Sequence, residues 1–161
     1  FPNENSPYGN MIKKWLKGEV EIYDQHIVEL LLAGDKYQFQ EYLRSVDADI
    51  DVVILDRYTL SQSVYSYVSG IAELWQESLQ KNMRQPDVNI IIDIDIKVSE
   101  RRKGRNQRDR YEKDDKFLEN VRKEYLKRTK NNNSCLIYDG SLDIDVIHNQ
   151  IYNDIMNIIQ R

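Results

Sequence analysis

The chain has 161 residues, 40% of them hydrophobic, which fits one domain, residues 1–161, with a core of its own. Its net charge of −4 makes the whole molecule no general nucleic-acid binder, so a local basic cluster carries meaning. The one cysteine, Cys135, excludes an intrachain disulfide and suits a reducing compartment, and no run of about 18 apolar residues offers a membrane span.

In chain order, Phe1-Pro2-Asn3-Glu4-Asn5-Ser6-Pro7-Tyr8-Gly9 is a turn-rich entry to a helix starting near Asn10 and carrying Met11, Ile12, Trp15 and Leu16. Taken alone it reads as a loop. Ile27, Leu30, Leu31 and Gly34 recur at helical spacing, with Asp24 as a cap. Leu30, Leu31 and Leu32 are expected in the core, and Lys36 by itself reads as solvated. Val52-Val53-Ile54-Leu55 is expected as a buried strand ending at Asp56. Residues 61–83 are long enough for one helix before the Pro86 turn. Ile90-Ile91-Ile92 and Leu136-Ile137-Tyr138 read as two more buried strands, ending at Asp93 and Asp139. Phe117, Leu118, Val121, Tyr125 and Leu126 mark a helix face between them. Ile144, Ile147, Ile151, Ile155 and Ile158 mark a final amphipathic helix.

Strands alternating with helices predict an α/β domain with a parallel sheet, and ligands in such sheets bind beyond the carboxyl ends of the strands. That rule directs attention to the segment after Asp93 and to Asp56-Arg57-Tyr58, which stands with Ser61 and Tyr65. A guanidinium there can clamp phosphate bidentately, and a carboxylate can hold magnesium through water. The spacing equally allows an ordinary strand end with a surface ion pair.

Residues 101–110 read Arg-Arg-Lys-Gly-Arg-Asn-Gln-Arg-Asp-Arg, six cations in ten. Gly104, Asn106 and Gln107 favour a mobile loop, which can close over polyphosphate and neutralise charge that develops in phosphoryl transfer. A solvated helix face or an RNA-contacting patch fits the same composition, although no aromatic is interleaved before Tyr111. His26 and His148 have no partners at metal-ligand spacing, so no zinc site is expected. Cys135, ahead of a buried strand, reads as a small hydrophobe.

Taken in order, these segments resemble the thymidylate kinase family. Phe1-Pro2 with Gly9 is similar to its Phe-Pro-x-Arg-x-Thr-x-x-Gly entry, and residues 26–36 to its helix ending Leu-Leu-Phe-Ala-x-x-Arg. Asp56-Arg57-Tyr58-x-x-Ser61 matches its Asp-Arg-Tyr/His-x-x-Ser signature. Pro86-Asp87 before Ile90 resembles its Pro-Asp-Leu strand entry. Asp109-Arg110-Tyr111-Glu112 with Phe117 resembles the end of its lid.

The resemblance implies a three-layer α/β/α domain of the P-loop NTPase type that transfers the ATP γ-phosphate to dTMP with Mg2+. It implies that Arg57 binds the acceptor phosphate and that Asp56 helps to order magnesium. Ser61 joins them at the strand end, Tyr65 lies against the nucleotide, and Ser66 falls where a base-reading residue often stands. Arg102, Arg105, Arg108 and Arg110, in a lid over residues 98–112, would cover the ATP phosphates, with Glu112 as anchor. It also implies a cytoplasmic homodimer without nucleic-acid or membrane partners. Asn3 and Glu4 stand where the family has its entry arginine, Leu32 replaces the base-stacking aromatic, and Lys36 replaces an arginine fork. All three bear on the acceptor, so another or a modified deoxynucleotide is the alternative substrate. No Gly-x-x-x-x-Gly-Lys-Ser/Thr occurs in the 161 residues. The first strand, phosphate loop, first helix and second strand are therefore expected upstream of Phe1, and residues 1–161 alone are expected to be inactive. A non-catalytic nucleotide-binding or scaffold relative of the same fold is the competing expectation.

Overall fold

The computed structural model describes residues 1–46, 49–103 and 108–160. Ser6 caps α1 (Pro7–Lys17): its hydroxyl accepts from the Gly9 amide, and Pro7 takes a first-turn position where no N–H is needed. The Asp24 carboxylate accepts from the His26 amide and starts α2 (Gln25–Tyr37), as its sequence position predicts. A short α3 (Gln40–Arg44) follows. Then come α4 (Thr59–Val68) and α5 (Glu73–Gln80). The single helix expected over residues 61–83 is in fact these two. The break is at Gly70, which adopts φ +84, a left-handed conformation that ends a helix at little cost to a residue without a side chain.

The described sheet has two parallel strands, β1 (Asn89–Asp93) and β2 (Cys135–Asp139), with Ile91 opposite Ile137. Two helices, α6 (Ile96–Lys103) and α7 (Asp115–Thr129), form the crossover, and α8 (Ile144–Ile159) closes the chain. Residues 101–103 are helical, which corrects the expectation of a loop there. Gly104–Gln107 lie outside the described residues, and so does Arg105.

The expected strand at 52–55 is absent. This segment has no regular secondary structure and pairs with no described strand, and Ile54 is 88% exposed. An apolar β-branched run has strand propensity, but a strand exists only where a neighbour completes its hydrogen bonds. The same reason corrects the expected burial of β1 and β2 on both faces: Ile90, Ile92 and Ile137 remain exposed. Leu30 is also exposed rather than in the core. The main buried cluster lies instead where α1 packs on α2 and α4 on α2, around Ile12, Trp15, Val28, Ala33 and Val64.

The entry segment is more than a loop. The Asp35 carboxylate of α2 accepts from the Asn3 amide at 2.9 Å and from the Ser6 hydroxyl. Gly9 sits against this turn so closely that a Cβ would lie 2.0 Å from the Asn3 carbonyl oxygen. Gly9→Ala is therefore expected to destabilise the fold by about 2–4 kcal/mol through backbone displacement, read as a lowered midpoint in urea unfolding; an unchanged midpoint would refute the close approach.

Candidate active site

The chain turns at Asp56-Arg57 as it leaves the segment at 52–55 and enters α4. Arg57 takes φ +53, a left-handed conformation uncommon for a residue with a side chain. Such backbone strain persists where the surroundings over-determine it and concentrates at ligand-binding turns. Here the guanidinium is fixed from α4: Nη1 donates to the Tyr65 hydroxyl at 3.1 Å, and the cation lies 5.6 Å from the Tyr65 ring centroid. Burial works against its charge, but the Tyr65 oxygen, Tyr125 and Asp56 outweigh that, and its pKa is raised. Arg57 is a permanent cation with its fork held in place.

Asp56, Arg57, Ser61 and Tyr65 share the wall of one cavity of about 1440 Å³ with Arg108 and Glu112. The structure thus brings the acceptor signature and part of the lid to one place. Arg108 also pairs with Asp115 at 2.9 Å. Three other described lid arginines point elsewhere; Arg101 donates from Nε to the Lys97 carbonyl at 3.2 Å. Arg102 of α6 donates to the carbonyls of Gly140 at 2.7 Å and Ser141 at 3.0 Å. Arg110 is bound to α1: its Nε donates to the Trp15 carbonyl at 3.3 Å, its Nη2 to Glu21 at 2.8 Å, and its cation lies over the Trp15 ring.

Leu32, Lys36 and Ser66 lie outside the wall of that cavity, on α2 and α4. Lys36 is only 1% exposed, which corrects its reading as a solvated lysine. Burial pulls its ammonium down to about 8, with the nearby Asp35 and Glu29 carboxylates acting in the other direction. Nζ donates to the Leu32 carbonyl at 3.3 Å and lies 5.5 Å from the Phe1 ring centroid. Ser66 is fully buried, and its hydroxyl has no hydrogen-bond partner among the described residues.

Sequence reasoning assigned no contacts to three groups, although it reads Asp93 as a strand end and Tyr111 within the end of the lid. Asp93, at the end of β1, is gripped bidentately by Arg122 at 2.6 and 2.9 Å. Its place after an apolar run hinted at the acid; nothing hinted at the arginine, 29 residues on. Glu29 and Gln62 are buried and joined across α2 and α4 at 3.0 Å. Tyr111, just after Arg110, packs among Trp15, Tyr65 and Phe117, and burial pushes its phenol up to about 12.

A family model for thymidylate kinase matches residues 1–151. The chain belongs to the thymidylate kinase family. A probable thymidylate kinase of Methanocaldococcus jannaschii is 29% identical over 158 residues, covering 98% of this chain and 81% of its own length. The thymidylate kinase of Schizosaccharomyces pombe is 26% identical, covering 98% of this chain and 76% of its own length. The solved thymidylate kinase of Candida albicans superimposes over the whole chain with a TM-score of 0.85 at 22% identity, and the match spans 80% of that protein. The fold is accordingly the α/β fold of P-loop kinases. As a thymidylate kinase family member the chain is a phosphotransferase. Among the described residues, no helix is long and apolar enough to cross a membrane.

Proposed function

We propose that this protein transfers the γ-phosphate of ATP to dTMP, giving dTDP, with Arg57 holding the acceptor phosphate. The supporting observation is the Arg57 turn itself: a strained, permanently charged guanidinium, braced by Tyr65, at the rim of the large cavity. A planar fork of donors suits the oxygens of a phosphate monoester. Tyr65 serves both as the brace and as a ring face for the nucleoside, and Ser61 supplies a hydroxyl at the start of α4.

Asp56 fits magnesium. It is an exposed, hard carboxylate at the cavity rim, and magnesium uses one or two carboxylates plus phosphate oxygens rather than an all-protein cage. When bound, the ion supplies charge neutralisation between the phosphates. Arg108 and Glu112, already on the cavity wall, serve the donor side with Arg102, Arg105 and Arg110. Of the latter, Arg102 and Arg110 must leave their present carbonyl partners to reach phosphate. Lys36, Leu32 and Ser66 are assigned to the base side of the acceptor.

The cavity also suits a strand. Its walls include Ile54, Ile90 and Ile92, all exposed, and the segment at 52–55 pairs with no strand of the described sheet. An apolar strand paired beside β1 would extend the sheet and cover these side chains. Pairing of two copies through exposed helix surfaces, and a place in the cytoplasm, complete the reading.

The test is a coupled assay on the intact protein. Conversion of dTMP and ATP to dTDP and ADP, with dTMP preferred over other nucleoside monophosphates, is the expected result. Indifference among acceptors would overturn the substrate assignment.

A further inference from the structure

Two carboxylates are wholly buried in α2. Asp35 has an evident task, holding the entry turn. Glu29, 0% exposed, does not touch the cavity wall and makes no ion pair among the described residues. A charge buried without an ion partner is costly and persists only where hydrogen bonds satisfy it. Both of its oxygens are in use. Oε1 accepts from Gln25 Nε2 and Oε2 from Gln62 Nε2, each at 3.0 Å. Gln62 Nε2 also reaches the Glu29 carbonyl at 3.1 Å.

These two amides lead to different parts of the molecule. Gln62 lies in α4, one turn before Tyr65 and Ser66, so the bond fixes how the acceptor helix sits on α2. Gln25 Nε2 goes on to the Tyr111 hydroxyl at 3.0 Å. Tyr111 immediately follows the lid arginine Arg110. It stacks on Phe117 and meets Tyr65 edge-on at 5.2 Å, and Tyr65 braces Arg57. Glu29 is thus the point where the end of the lid segment and the acceptor helix are tied together.

We infer that Glu29 is a positioning residue: it orients Arg57 and Tyr65 toward the acceptor and couples acceptor binding to the end of the lid through Gln25 and Tyr111. The inference rests on the proposed role of Arg57. The carboxylate is needed because both neighbours present N–H donors. A glutamine in its place turns one acceptor into a donor, so one bridge survives only if a neighbouring amide turns over, which for Gln62 gives up its bond to the Glu29 carbonyl.

The reporter is Trp15, whose ring is 5.4 Å from Tyr111 and carries the Arg110 cation. Trp75 is the other tryptophan of the 161 residues, and Trp75→Phe leaves Trp15 as the one tryptophan among them, read by excitation that spares tyrosine. In that background, on the intact protein, dTMP is expected to change Trp15 emission. Glu29→Gln should raise KM for dTMP about tenfold, leave KM for ATP within about twofold, and abolish most of the emission change. Tyr111→Phe removes only the hydroxyl, so it keeps the core if Glu29→Gln does not fold; it should reduce the emission change with a smaller effect on KM. A parent that turns over dTMP while both variants keep its KM and its emission response overturns this inference alone. So does an equal rise in KM for both substrates in step with a lowered melting point, the mark of a merely structural residue. A parent that neither binds nor phosphorylates dTMP overturns the functional reading and this inference with it.

Discussion

Replacing Arg57 with alanine is expected to lower kcat/KM for dTMP by about 10²–10³-fold in the intact protein, the usual effect of removing one charged donor from a phosphoryl-transfer site. The argument begins with backbone cost. Holding a side-chain-bearing residue at φ +53 disfavours the fold by about 1–2 kcal/mol. What fixes it is the Tyr65 hydroxyl and ring. Arg57→Gly separates the two effects. Glycine accepts positive φ freely, so this variant should be as impaired as Arg57→Ala in transfer yet about 1 kcal/mol more stable than the parent in urea unfolding. Arg57→Lys keeps the charge without the planar fork and should fall between. Undiminished turnover in Arg57→Ala would remove Arg57 from the site. A glycine variant less stable than the parent would show that the guanidinium's contacts outweigh the backbone strain.

The second large effect is a pH dependence of stability that comes from Lys36. Its pKa in the folded protein is about 8, against 10.5 when free in solution. Below pH 8 both the folded and unfolded chains carry the proton, and the penalty for burying the ammonium is fully expressed. Between about 8 and 10.5 the unfolded chain binds more protons than the folded one, so stability increases with pH; above 10.5 the increase is complete. For a shift of this size the gain is on the order of 3 kcal/mol. Urea unfolding of the parent and of Lys36→Met across that window measures it, since other titrations cancel in the difference. The advantage of the methionine variant over the parent should shrink as pH rises. Lys36→Arg restores the family's residue, stays charged throughout, and should lose the rise altogether. A difference between parent and Lys36→Met that is flat with pH would show that Lys36 titrates normally.

Burial of Lys36 also shows where local reading stops. An isolated lysine at the end of an amphipathic helix belongs in water on composition alone. Here the chain from Phe1 to Ser6 folds back over α2, held by Asp35, and removes that water. The segment at 52–55 fails in the opposite sense. Its hydrophobic run is legible, but a strand is a relation between two backbones, and no described neighbour supplies the second. The long helix over residues 61–83 divides at Gly70 because a glycine, tolerable within a helix, ends one when it takes a left-handed conformation.

The sequence by itself determined the alternation of helices and strands, the cap at Asp24, the Asp56-Arg57-Tyr58-x-x-Ser61 signature and the family. These are local or ordered features: side chains a few residues apart decide them. The Ser6 cap, which starts α1 at Pro7 rather than near Asn10, was decided by the structure. Only the tertiary structure decided that Arg57 stands in a left-handed turn braced by Tyr65, that Arg102 and Arg110 are bound to backbone carbonyls, and that Glu29 joins Gln62 to Gln25 and Tyr111. Each of these is a contact between elements distant in sequence, such as the 86 residues between Gln25 and Tyr111. Such contacts depend on how helices pack, and packing depends on the summed burial of many side chains rather than on any motif.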